Sequence, residues 1–165
     1  MTVSYKSGLI LMDDALRKGA SIGKLEKAST ALAGHRGIRT LRAVLENADP
    51  RSESAGETLA REVINALQLP APELQVEVQT RAGLYRLDMA WRDRKIALEF
   101  DGRAKYFDYQ PSDEAIFQER QREKALMEEG WIFVRLTWAD LFKEAEVKSR
   151  ILEAFRRSRG IASNP

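Results

Sequence analysis

Cysteine is absent from the 165 residues of this chain, and histidine occurs once, as His35. The lack of cysteine excludes disulfides and thiolate metal sites. With only one histidine, zinc is disfavoured as well, which leaves oxygen ligands as the expected metal chemistry. A lone histidine is more often a plain surface or core residue than a functional one. Any metal site in this chain is therefore expected to be built from carboxylates.

Long hydrophobic runs are also missing. No stretch approaches the ~18 consecutive apolar residues of a membrane span, and the N terminus lacks the basic flank and cleavage pattern of a signal peptide. The sequence therefore predicts a cytoplasmic protein without a membrane partner.

A large excess of one charge is absent too, because 27 Lys and Arg are balanced by 25 Asp and Glu. The basic excess lies in residues 1–50 and 143–165, on either side of an acidic centre. This arrangement suits a protein that grips a polyanion by its rim and holds cations at its centre. An ordinary mixed-charge surface accounts for the same totals.

What the sequence does contain is a set of acidic residues in two consecutive segments with strand-like alternation. In the first segment, alternate residues are expected to form an apolar face: Tyr85, Leu87, Met89 and Trp91. Asp88 lies on the other face, as do Glu99 and Asp101 of the second segment. A hairpin loop of two or four residues around Asp93-Arg94 sets Asp88 directly opposite Glu99. Opposed carboxylates repel, so we expect a compensating hard cation such as Mg²⁺, a nearby Arg or Lys, or simple exposure to solvent.

The predicted elements follow the order helix, three strands, helix, strand, helix. Residues 1–50 are expected to form an N-terminal lobe of small helices, residues 51–158 one domain, and residues 159–165 a frayed tail. The helix before the last strand lets that strand join the sheet without a hairpin. The sequence therefore predicts an α/β fold with a mixed central sheet of about four strands flanked by helices.

The helix that follows the lobe carries two further acids. It is expected to run from Ser52, as its cap, to Leu67. Glu53 and Glu57 then fall along the edge of its buried arc. Carboxylates at that border point along the core side of the helix.

Several of these segments together resemble a known family. The matching residues are Arg51-Ser52-Glu53-Ser54-Ala55-Gly56-Glu57, Leu74-Gln75-Val76-Glu77-Val78, Asp88, Ala97-Leu98-Glu99-Phe100-Asp101-Gly102, Glu119-Arg120-Gln121-Arg122-Glu123, and Leu126 to Trp138. In this order they resemble the very-short-patch-repair-like endonuclease domain of the PD-(D/E)XK superfamily, in its AbiEi-like actinobacterial branch. The resemblance implies a restriction-endonuclease-like core, DNA as the substrate and Mg²⁺ as the cofactor, with Mn²⁺ as a substitute.

The resemblance also implies roles for residues at matching positions. Glu57 matches a helix carboxylate, Asp88 the first hairpin acid and Glu99 the second, and together with Asp101 they are expected to hold the metal. Asp101 stands where the superfamily usually has its lysine. Hydrolysis of a phosphodiester requires an activated water molecule. With aspartate at position 101, that water is expected to be activated by a second cation, by Asp101 as general base, or by Lys105 reaching back into the site. The expected catalytic residues are therefore Asp88, Glu99, Asp101 and Lys105.

Further side chains near these acids are predicted to support metal binding or to contact the nucleic acid. Glu53, Glu119 and Arg122 are expected to support the metal ligands or to contact a phosphate. For the helix residues Glu119 and Arg122, the alternative is an internal Glu-Arg salt bridge that holds helix to sheet. The loop after the second acidic segment carries basic and aromatic residues that suit either nucleic-acid binding or capping of the core: Arg103, Lys105, Tyr106 and Tyr109.

Together with this resemblance, the sequence predicts a Mg²⁺-dependent endonuclease-like protein that hydrolyses phosphodiester bonds in DNA. The alternatives are a non-catalytic DNA-binding or antitoxin-type regulatory module on the same scaffold, and a protein-interaction domain whose acids are only surface. Longer members of the family that the chain resembles carry a DNA-binding segment upstream, whereas this sequence begins almost directly at the helical lobe. Target specificity is therefore expected to come from a homodimer, a protein partner or the helical lobe.

Overall fold

The computed structural model describes residues 3–102 and 113–161. The helices in these residues are α1 Tyr5–Arg17, α2 Ile22–Ala31, α3 Ile38–Asn47, α4 Ala55–Ala66, α5 Asp113–Glu128 and α6 Glu144–Ile161. The strands are β1 Glu73–Thr80, β2 Gly83–Trp91, β3 Ile96–Asp101 and β4 Ile132–Thr137. The chain divides into two compact units, Met1–Glu62 and Val63–Pro165, and the division falls within α4.

The first unit contains α1 to α3 and the beginning of α4. Helix α1 begins after Ser4, whose hydroxyl oxygen accepts a hydrogen bond from the backbone N of Ser7 at 3.2 Å. The helix packs closely on α3, because a Cβ at Gly8 would lie only 3.1 Å from Cγ2 of Val44. The small helices predicted for this segment are confirmed, with the first beginning at Tyr5 rather than at Gly8.

A buried ion pair ties together distant parts of the first unit. Asp13 of α1 is only 1% exposed, and its Oδ2 lies 2.6 Å from Nη2 of Arg61 in α4. The same oxygen accepts a hydrogen bond from Thr58 Oγ1 at 2.8 Å, and Oδ1 accepts one from the backbone N of Asp49 at 2.8 Å. Removing one partner of such a pair typically costs about 3–5 kcal/mol, because the other charge stays buried. Asp13 is therefore a structural residue of this unit.

Helix α4 begins later than predicted. The hydroxyl oxygen of Ser54 accepts a hydrogen bond from the backbone N of Glu57 at 3.1 Å, and Oε2 of Glu57 accepts one from the backbone N of Glu53 at 2.9 Å. This arrangement closely resembles a capping box. The prediction that Ser52 caps the helix is wrong, since the Ser52 hydroxyl instead accepts a hydrogen bond from Arg61 Nε at 3.3 Å. Glu53 consequently precedes the helix.

The second unit is built on a mixed sheet with the strand order β1-β2-β3-β4. β1, β2 and β3 pair antiparallel, and β3 pairs parallel with β4 after the crossover through α5. Gly130 ends that helix at φ +89°, a conformation that favours glycine. The predicted α/β fold with a mixed sheet of four strands flanked by helices is confirmed.

The alternation predicted for β2 breaks near Asp88. Leu87 and Ala90 belong to one core cluster together with Leu126 of α5. Trp91 instead packs edge-on against Phe155 of α6, with the ring centroids 5.1 Å apart. The prediction of one continuous apolar face from Tyr85 to Trp91 is therefore wrong, because Tyr85 and Leu87 pack in the same cluster as Ala90, on the α5 side.

The last helix is preceded by a tight turn. A 3₁₀ turn spans Asp140–Phe142, so that α6 begins at Glu144 rather than at Ala139. Oδ2 of Asp140 accepts hydrogen bonds from the backbone N and Oγ1 of Thr137, both at 2.7 Å.

Residues 3–102 and 113–161 contain no helix that is both long and apolar enough to cross a membrane.

Candidate active site

The register of β2 and β3 brings Asp88 and Glu99 to the same level of the central hairpin. β2 and β3 pair with Met89 opposite Leu98. The next residues in this register are Asp88 and Glu99, which is the register that the loop length predicted. Oδ2 of Asp88 accepts a hydrogen bond from the backbone N of Phe100 at 3.0 Å. The Asp88 carboxylate is therefore held against the main chain of β3, next to Glu99.

The backbone is irregular at the same level of the sheet. The pairing of β1 with β2 places Leu74 opposite Met89 and resumes with Val76 opposite Leu87. Between these pairs, Gln75 has φ +53°, in the left-handed region that a non-glycine residue rarely adopts in a strand. Strained backbone of this kind is concentrated at functional sites. In the β1–β2 register, Gln75 lies at the level of Asp88, beside the break in alternation.

Arg122 of α5 reaches over the hairpin to Glu99. Its Nη2 lies 3.9 Å from Glu99 Oε1, and the two side chains are 27% and 20% exposed. The guanidinium carbon lies 5.5 Å from the ring centroid of Tyr85, and Nη2 donates a hydrogen bond to the carbonyl of Arg86. The alternative predicted for Arg122, a Glu-Arg salt bridge that links helix to sheet, is therefore present in the structure, and Glu99 is its acid. Tyr85 was missed because the expected alternation placed it on the opposite face.

A second ion pair links α5 to the sheet. Nη2 of Arg135 lies 2.7 Å from Oε2 of Glu123, and Arg135 is opposite Glu99 in the β3–β4 register. The side chain of Glu119 lies outside the described residues, so its predicted role stays a prediction. The face of the sheet around Glu99 therefore carries both acidic and basic side chains, from β3, β4 and α5.

Asp101 is the last residue of β3 and is exposed. It lies opposite Thr137 at the end of β4, where two parallel strands present their carboxyl ends on one edge. Crevices at such edges are the usual ligand sites of open α/β sheets. The loop that follows, with Arg103, Lys105, Tyr106 and Tyr109, lies outside the described residues.

Glu57 belongs to the first unit, whereas the other three acids belong to the second. It is only 8% exposed, and its carboxylate accepts the hydrogen bond from the backbone N of Glu53 described above. Glu53 itself is exposed. The structure thus gives Glu57 a role at the N terminus of α4, and its expected role as a metal ligand stays a prediction.

The donor chemistry of the hairpin suits a hard cation. Within the described part of the chain, no three His, Cys, Asp or Glu side chains form a group that could hold a metal ion. Mg²⁺, however, usually keeps several waters and is bound by one or two carboxylates together with substrate phosphates. Asp88 and Glu99 provide two such carboxylates at one point of the sheet. The pair fits Mg²⁺ in donor type and in number.

Comparison with known proteins identifies relatives without a described activity. No family model and no solved structure matches this chain. Two uncharacterized proteins, from two strains of Mycobacterium tuberculosis, are each 32% identical to it over 154 residues. The match covers 92% of this chain and 55% of each relative, so the chain spans about half the length of the curated relatives it matches. The chain is thus similar, over nearly its whole length, to part of these mycobacterial proteins.

Proposed function

We propose that this chain is a metal-dependent endonuclease-like protein that hydrolyses phosphodiester bonds in DNA. The observation that carries the proposal is the juxtaposition of Asp88 and Glu99 across β2 and β3. A mixed sheet with a central acidic hairpin supports it, because this is the arrangement that the resemblance to restriction-endonuclease-like domains implies. A cytoplasmic location, where DNA is accessible, is part of the same proposal.

The chain's own residues would position the reacting groups. When bound, Mg²⁺ supplies Lewis-acid chemistry to the phosphate. The backbone N of Phe100 fixes the Asp88 carboxylate, which removes the need to order that side chain during the reaction. Asp101, exposed at the end of β3, would accept the proton of the attacking water as general base.

A second candidate is a non-catalytic DNA-binding or antitoxin-type regulatory module on the same scaffold. The observation that favours it is Asp101, which replaces the lysine that usually helps to activate the water. Such a module would bind DNA with strong dependence on salt and would leave it intact.

The decisive experiment is the nicking of supercoiled plasmid DNA in Mg²⁺ or Mn²⁺. We expect Asp88→Asn and Glu99→Gln each to lower the nicking rate by at least about 100-fold, as for removal of other groups that stabilise a transition state. Asparagine is chosen at position 88 because its amide oxygen still accepts the hydrogen bond from the backbone N of Phe100. Asp93→Asn is the matched control, since Asp93 lies in the exposed turn of the same hairpin.

Each outcome separates the candidates. Nicking that survives in both site variants would contradict the role of the two acids. Salt-sensitive DNA binding by the unmodified protein, with no cleavage in either metal, would favour the regulatory module.

A further inference from the structure

We infer that Arg122 is an internal counter-cation for Glu99 that competes with the divalent ion for this carboxylate. The inference rests on the proposed function, because it concerns the same pair of acids. It adds a regulation of metal affinity that is built into α5.

The position of Arg122 follows from the packing of its helix. Leu126 lies one turn further along α5 and is 1% exposed within the core cluster. Residues four apart share one face of a helix, so Arg122 projects from the same sheet-facing side. From there its guanidinium contacts both hairpin strands, through the carbonyl of Arg86 and the ring of Tyr85 in β2 and through Glu99 in β3. The side chain is therefore held at the site by several contacts.

The charges at this point explain why competition follows. Asp88 and Glu99 directly follow the Met89–Leu98 pair in the β2–β3 register, and like charges at opposed positions destabilise a sheet. The positive charge of the Arg122 guanidinium offsets part of this repulsion. Because both partners are largely shielded from solvent, their attraction is screened less than that of a surface pair. A divalent ion that approaches Glu99 meets this positive charge, and its affinity is reduced accordingly.

A phosphate-binding role for Arg122 makes a different prediction. A guanidinium that contacts only the substrate phosphate would contribute to DNA affinity. Its removal would leave the affinity for the metal alone unchanged. Metal binding in the absence of DNA therefore distinguishes the two roles.

The test is a calorimetric titration of the intact chain with Mn²⁺ in the absence of DNA. We expect Arg122→Gln and Arg122→Met to bind Mn²⁺ roughly tenfold more tightly than the unmodified protein, because a positive charge about 4 Å from the carboxylate is removed. Arg122→Lys, which keeps the charge, should remain within roughly threefold. Arg81→Gln is the matched control, since Arg81 also forms an ion pair with α5, through Glu128 at the far end of the helix.

Two neutral variants keep the test decisive if one of them folds poorly, and circular dichroism identifies such a variant. Equal or weaker Mn²⁺ binding by the folded neutral variants would overturn the inference. If the unmodified protein binds Mn²⁺ and Asp88→Asn abolishes this binding, the proposed function stands even though the inference about Arg122 is overturned. Absence of Mn²⁺ binding in both the unmodified and the Arg122 variants would instead contradict the proposed function itself.

Discussion

Two neighbouring aspartates of α1 experience opposite environments. Asp13 is buried and ion-paired with Arg61, whereas the side chain of Asp14 is 40% exposed and pairs with Arg17 and Lys18 at the end of the helix. The hydrogen bond from Lys18, with the further contribution of Arg17, lowers the pKa of Asp14. Surface pairs contribute little to stability, while a buried charge depends on its partners. The difference between adjacent residues thus provides a controlled comparison.

We predict that Asp13→Asn lowers the free energy of opening of the first unit by about 3–5 kcal/mol, because Arg61 then stays buried without its carboxylate. Native-state hydrogen exchange of amides in α1 and α3 measures this change. Asp14→Asn is the control and should leave the protection of the same amides nearly unchanged. Equal loss of protection in the two variants would contradict a structural role specific to Asp13.

The contacts of individual residues could be predicted from the sequence only where nearby residues constrain the chain. The placement of Asp88 beside Glu99 could be predicted, because the loop around Asp93 fixes the hairpin register. The partner of Asp13 could not, since Arg61 is 48 residues away and no periodicity connects them. A Glu-Arg salt bridge between helix and sheet was one of the alternatives predicted for Arg122, but the sequence did not identify Glu99 as its acid.

Among the elements, α4 shows how a cap selects the start of a helix. Two serines precede it, but only Ser54 stands three residues before Glu57, which is the spacing of a capping box. The sequence therefore contained the signal, and the prediction of Ser52 overlooked it. The irregularity of β1 and β2 is different, because no residue type in the segment demands the positive φ of Gln75. That part of the fold depends on tertiary contacts and could not be predicted from propensity.

We predict that Ser54→Ala destabilises the first turn of α4 by about 1 kcal/mol, because the backbone N of Glu57 loses its hydrogen-bond acceptor. Hydrogen exchange of amides at the start of α4 reports the change. Ser21→Ala is the control: Ser21 precedes α2, and within the described residues its side chain makes no capping hydrogen bond. A comparable loss of protection at the start of α2 would indicate that serine propensity, rather than the cap, is responsible.

For the molecule as a whole, both units contain a carboxylate whose pKa is lowered on folding. Burial alone would raise the pKa of Asp49, but hydrogen bonds from Arg51 outweigh it and lower that pKa. Burial likewise opposes the lowering at Asp140, where hydrogen bonds from Thr137 and the charge of Arg150 prevail. A carboxylate with a lowered pKa stabilises the folded state above its unfolded pKa, and this contribution is lost as pH falls through the folded value.

We therefore expect the melting temperature to be nearly constant from about pH 5 to 7 and to fall below about pH 4, where unfolded aspartates take up protons. Asp140→Asn should make this decline shallower in the second unit, since its side chain no longer titrates. Thermal melts followed by tryptophan fluorescence at a series of pH values measure the effect. An unchanged acid dependence in this variant would contradict the contribution of Asp140.

The distribution of tryptophan means that the intrinsic fluorescence of the protein comes from one of its two units. All three tryptophans belong to the second unit. One of them, Trp138, packs edge-on against Phe100 with the ring centroids 5.1 Å apart, and Phe100 is also the residue whose backbone N binds Asp88. Indole emission therefore reports on the acidic hairpin without a signal from the helical lobe. If the proposed metal site exists, a paramagnetic ion such as Mn²⁺ bound at Glu99 would quench that emission, and the tryptophans would then report metal occupancy without an added label.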